Sequence, residues 1–222
     1  MEFSLNLTAE RSVVRESLKG VLWTIFFHRL FGPVVPVTNE FLDVPYPMVA
    51  GAADIDSTMD QKIDELIKQD FSLATHRSQP SVGQIVVLFA QKVVAKSKKR
   101  TGWFGQVKEE PQAHTLRWES WVININCLPL LYREHQQLAA ASSSVNSAEK
   151  LLRLSALSFE ATVGQVMELA NLHKDHIPPI MTLDVCPFPY DITIDPQSAP
   201  RRPPAADDDT WTHYIKKLME QV

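Results

Sequence analysis

Residues 81–128 read SVGQIVVLFAQKVVAKSKKRTGWFGQVKEEPQAHTLRWESWVININCL, and the fold is decided by this stretch. Two arms flank a polar, glycine-bracketed turn. In the first arm Val86, Leu88 and Ala90 alternate with Ile85, Val87 and Phe89. Both sets are apolar, which predicts a strand buried on both faces. In the returning arm Trp121, Ile123, Ile125 and Cys127 mark one face; Trp118, Ser120, Val122, Asn124 and Asn126 mark the other. That is the alternation of a half-buried strand. The pair predicts a long hairpin from Ser81 to Leu128.

The turn itself carries Trp103 and Phe104 side by side, between Gly102 and Gly105 and beyond the cations Lys96, Lys98, Lys99 and Arg100. Leaving such rings unburied forgoes roughly 1.5–3 kcal/mol each. Two readings stand at this point. The loop folds back and sinks both rings in a groove, as most tryptophans are sunk. Alternatively, the rings are offered to another protein, as interface anchors favour Trp. The basic run beside them also suits nucleic acid or an acidic lipid head, but four charges in a hairpin turn are more often a solvated tip, and Glu109 and Glu110 partly offset them.

Working outward, residues 8–31 repeat apolar positions at helical spacing: Val14, Leu18, Val21, Leu22, Ile25, Phe26. Thr8 is the expected cap and Gly32-Pro33 the stop. His28 reads as a core histidine satisfied by a backbone group. Proline-broken extended pieces follow, with a turn expected at Thr38-Asn39 and a place at a sheet edge. A helix opening near Ser57 carries Asp54, Asp56, Asp60, Asp64 and Glu65, read as solvated charge near a helix start rather than a calcium loop. After the hairpin comes a serine-rich loop at about 130–146. Ser147 to about Leu172 then forms a second long helix whose polar face is thin, so it needs burial on most sides or a partner chain. His173, Asp175 and His176 close it, placed well for the helix dipole. Tyr190, Ile192 and Ile194 alternate as a short strand, SAPRRPPAA is a spacer, and Trp211 to Val222 make an amphipathic helix.

Composition narrows the class. Across 222 residues, 45% are hydrophobic and 22% charged, with a net charge of -4, so no global charge draws in DNA or an anionic membrane. Cys127 and Cys186 fit free thiols of a reducing compartment. The opening MEFSLNLTAERS lacks a basic, then apolar, secretory pattern, and no apolar run approaches the ~20 residues that span a bilayer. Dinucleotide, Walker, nucleophile-elbow and zinc motifs are all missing, which predicts no cofactor, no metal and no enzyme activity. An unrecognised site around His28, His173 and His176 is the rival enzymatic reading.

Several local features combine into a resemblance. His28-Arg29 end the first helix, a proline-broken hairpin and the Trp103-Phe104 loop follow, and Trp118-Glu119-Ser120-Trp121 open the returning strand. His176-Ile177-Pro178-Pro179 come after the long helix, and Pro189-Tyr190-Asp191-Ile192 before the last strand. Over nearly the whole chain this resembles the autophagy-related protein 101 family, in a branch with the look of a fungal one. The resemblance implies an α+β HORMA fold, a mainly antiparallel sheet with long helices on one face. It would fill residues 1–195, with 196–222 a proline-rich spacer and a helix packed on the same domain. It further implies a non-enzymatic scaffold of the autophagy-initiation kinase complex, cytoplasmic and at the phagophore assembly site. Its partner would be the HORMA domain of autophagy-related protein 13, docked through the second long helix and neighbouring strand ends, and stabilised by the pairing. Trp103 and Phe104 would form the WF finger that recruits downstream autophagy factors. They are adjacent here, whereas animal members carry a proline between the two rings. No nucleic acid and no transmembrane segment are implied. The alternative within the same fold is a peptide-capturing HORMA adaptor of checkpoint or chromosome-axis function.

Overall fold

The computed structural model describes residues 1–71, 80–101, 106–129, 143–182 and 184–194, with backbone alone at 94–101, 106–113 and 143–148. Trp103, Phe104, most of the serine-rich loop and the segment from 195 onward lie outside the described residues.

The elements are β1 (Glu2–Glu10), α1 (Val14–Phe27), β2 (Val35–Phe41), β3 (Val44–Ala50) and α2 (Ala53–Asp70), followed by β4 (Ser81–Thr101), β5 (Gln106–Leu128), α3 (Ser143–Leu172) and β6 (Tyr190–Ile194). The result is an α+β architecture. A four-stranded sheet runs β1-β5-β4-β6, and β2 and β3 form a separate hairpin. The expected long hairpin is β4 and β5, antiparallel from Ser81↔Cys127 to Thr101↔Gln106. β6 adds antiparallel to β4, while β1 pairs in parallel with β5.

β1 was not foreseen. Thr8, expected to cap the first helix, lies in this strand, and α1 begins at Val14 without a side-chain cap. Phe3, Leu5, Leu7 and Ala9 alternate with Glu2, Ser4 and Asn6, a two-residue period with the first set buried. α3 likewise starts at Ser143, earlier than Ser147.

One sheet face carries the core. Ile85, Val87 and Phe89 of β4, Trp121, Ile123 and Ile125 of β5, and Ile192 of β6 join the β1 residues beneath the helices. α1 is buried almost all round, since it lies against the sheet and also meets α2, α3 and β3. Its approach to α3 depends on Gly20: a Cβ there would stand 2.6 Å from the Phe159 ring. β4 was expected to be buried on both faces, but its second face is partly open: Val82 is exposed, and Gln84 and Val86 are only half-buried. That face is polar. Gln84 bonds Asn124 at 2.6 Å, and Asn124 reaches Ser4 and Asn6 across the neighbouring strand.

The β2–β3 hairpin turns at Leu42-Asp43, not at Thr38-Asn39, which pair within the ladder. Both turn residues have positive φ, 51° and 60°, the twist a tight hairpin requires. The pair is not an edge of the main sheet. Its Tyr46 packs edge-on against Phe159 of α3.

The α2 acids are not merely solvated. Arg15 reaches Asp60 and Asp64, Lys19 reaches Asp56 and Asp60, and the Trp23 indole donates to Asp56, all at 3.0–3.1 Å. These contacts tie α2 to α1. Being part-exposed, each is worth roughly 0.2–1 kcal/mol.

Candidate interaction surfaces

α3 shows how this sequence makes two surfaces from one helix. Ser155, Ser158 and Thr162 share a face at spacings of three and four. Ser158 and Ser155 accept from the β1 amides of Thr8 and Glu10 at 2.8 Å, and Thr162 donates to the Asn6 carbonyl at 3.0 Å. The helix thereby satisfies main-chain groups along the outer edge of β1, which would otherwise be open to strand addition. Phe159, Val163, Val166 and Ala170 are buried in the core.

On the opposite side, Leu154, Leu157, Ala161 and Gly164 recur at three and four, and all are exposed. Leu154 is 45% exposed and Leu157 57%. The apolar surplus expected of this helix is therefore real, and nothing among the described residues covers it.

The second surface is the far end of the hairpin. β1 lies beside β5 only from Ser120 onward, and β6 beside β4 only from Ile85 to Phe89. Beyond them, from Ala90↔Arg117 to Thr101↔Gln106, β4 and β5 continue as a two-stranded ribbon. At about 3.3 Å per residue the ribbon extends on the order of 40 Å. In sequence, Trp103 and Phe104 fall between the ends of its two arms.

A buried polar cluster sits at the ribbon's root. The register slips between Phe89 and Ala90, from Glu119 to Arg117, so Trp118 is an extra residue. This bulge lets Trp118, Glu119 and Ser120 all be buried in succession. Glu119 is 0% exposed and Arg29, just past α1, is 1% exposed. The guanidinium grips the carboxylate as a fork: Nε to Oε1 at 2.7 Å and Nη2 to Oε2 at 2.8 Å. Trp121 donates its indole N–H to Oε1, and His176 Nε2 lies 2.7 Å from Oε2. A carboxylate only accepts, so Nε2 carries the proton. Phe3 lies 4.4 Å, ring centroid to centroid, from Trp121 and 5.4 Å from His173.

The cluster clasps three pieces together: the end of α1, the bulge of β5 and the segment after α3. Arg29 Nε and Nη2, the Trp121 indole and the His176 ring converge on one anion, while Arg29 Nη1 donates to the His28 carbonyl at 2.9 Å, an arrangement for holding three segments together. His28 stands apart, its Nδ1 2.7 Å from the Thr24 carbonyl, as expected of a core histidine. Among the described residues no group of His, Cys, Asp and Glu is arranged to hold a metal ion. Cys127 and Cys186 are both free, and burial pushes both thiols up from their ordinary range. The sequence reading missed the pairing of Arg29 with Glu119. The available signal was one charge in each of two apolar stretches, which burial makes costly unless they meet.

A family model for autophagy-related protein 101 matches residues 6–184. The chain belongs to that family. The matched span takes in Arg29, the ribbon, Glu119, α3 and His176. Among its relatives is the autophagy-related protein 101 of Arabidopsis thaliana, 30% identical over 196 residues, covering 85% of this chain and 83% of the relative. That of Schizosaccharomyces pombe is 28% identical over 206 residues, covering 92% and 86%. Family membership assigns the chain a role in autophagy. Both relatives are named as autophagy-related proteins, not as enzymes. No helix among the described residues is long and apolar enough to cross a membrane.

Proposed function

We propose that this chain is a non-enzymatic HORMA scaffold of the autophagy-initiating kinase complex. It works in the cytoplasm and at the phagophore assembly site. It pairs through α3 with the HORMA domain of autophagy-related protein 13, stabilises that partner and recruits downstream autophagy factors through Trp103 and Phe104. The HORMA domain fills residues 1–195, and 196–222 serve as spacer and terminal helix.

The exposed Leu154-Leu157-Ala161 stripe carries this reading. Its helix is already bound to β1 on one side and to the core on another, so the stripe is not needed for the chain's own fold. A contiguous apolar face left over in this way suits a second protein. The ribbon supports the recruiting role, because Thr101 and Gln106, which flank the two aromatic residues in sequence, pair at its far end.

Replacing Trp103 and Phe104 together by alanine tests the recruiting half. Melting temperature and pairing should be unchanged, while autophagosome number in cells falls. Normal autophagy in the double variant, or its unfolding, rules out the finger.

A further inference from the structure

The outer edge of β4 is left open at a definite place. β6 covers it from Ile85 to Phe89, and the Ala90 amide then donates to the Pro189 carbonyl at 2.9 Å. Main-chain groups face alternate sides along a strand, so Lys92 is the next residue to present its N–H and C=O outward. No described strand pairs with it on that side. Pro189 and Pro187 stop β6 from extending there, since proline cannot donate to a ladder.

A cleft of ≈ 550 Å³ opens at this same point. Gln91 and Lys92 form one wall, and Pro179, Met181, Phe188 and Tyr190 contribute to the rest. Met181 is 85% exposed and the adjacent Ile180 44%. Among the described residues, Lys92 is the only charged one that lines the cleft.

We propose that β4 at Lys92 and this cleft together bind an extended segment of another protein. The segment adds as a strand in line with β6, seats one bulky apolar side chain in the cleft and sets an acidic residue beside Lys92. Unpaired main-chain groups select an extended backbone, while a pocket beside the edge selects a side chain, the two halves of strand-addition recognition. The chain's own continuation is a poorer occupant, because β6 runs from Tyr190 beside the cleft to Ile194 opposite Ile85, away from it. The site is independent of both the α3 stripe and the hairpin turn.

The test pans a phage library of short peptides on the full chain and measures the Kd of the enriched peptide by fluorescence anisotropy. Lys92→Pro removes the outward N–H, and Met181→Glu puts a charge on the cleft wall without touching the core. Each should weaken binding by about tenfold or more, the loss of roughly one hydrogen bond or apolar anchor. Leu157→Asp on α3 should leave it unchanged. Bound peptide should slow hydrogen exchange at the Lys92 amide. No enriched peptide, or full affinity in the Met181→Glu variant, overturns the proposal. Slow exchange at Lys92 in the free chain overturns it too, since the chain's own residues would then already fill the edge.

Discussion

Glu119 shows what a single buried charge contributes. Its carboxylate accepts from Arg29, Trp121 and His176, and among the described residues no other anion pairs with Arg29. Glu119→Gln leaves a buried cation without its counter-charge, a change that costs about 3–5 kcal/mol. Urea unfolding should show that drop, and the Arg29→Met, Glu119→Leu pair should recover much of it. A Glu119→Gln loss below about 1 kcal/mol would mean the fork is not a stabilising contact. His28 makes a pH-dependent contribution. Burial is the largest influence on its ring and pushes its pKa below the ordinary histidine range; Arg29 and Lys174 push the same way, against the bond to Thr24. The folded ring therefore stays neutral while the unfolded one takes up a proton. Stability attributable to His28 is complete above about pH 6.5 and is lost as pH falls from there toward the folded value. Melting temperatures at pH 7 and pH 5.5 should differ in the parent and differ less in His28→Gln. An equal difference in both would contradict the assignment.

At the scale of elements, α3 acts as a cover for β1 by means of hydroxyls. Ser155→Ala and Thr162→Val each strip a partner from a β1 main-chain group, and each should cost about 1–3 kcal/mol by urea unfolding. Ser158→Ala should behave similarly, whereas Ala161→Ser, on the exposed side, should change little. Equal effects from all four would deny the edge-covering role. Legibility followed the strength of local pattern. The long hairpin, the cores of α1 and α3 and the β6 strand were plain, because each repeats an apolar period over several turns or pairs. β1 was not legible, because its alternation of Phe3, Leu5, Leu7 and Ala9 runs straight into the helical pattern of α1 with no Gly or Pro between them. The β2–β3 turn was misplaced because Asn39 carries a turn preference that Leu42 lacks, yet the ladder's register put the tight twist at Leu42-Asp43. The bulge at Trp118 was hidden for a related reason. An inserted residue changes which side chains face inward without leaving a compositional mark.

For the whole molecule, folding and the proposed recruiting role fall to different parts. A single core joins the sheet to all three helices, while the α3 stripe and the ribbon carry surface that core does not need. The stripe was foreseeable from the thin polar face of α3. The clasp at Glu119 was not, because it joins residues 29, 119 and 176, which only the folded chain brings together. The most direct measurement is sedimentation of this chain mixed with the HORMA domain of autophagy-related protein 13, using the parent and a Leu154→Asp, Leu157→Asp variant. The parent should give a one-to-one complex. The variant should stay monomeric with an unchanged melting temperature, whereas pairing of the variant as tight as the parent's would contradict the assignment of α3 as the docking face.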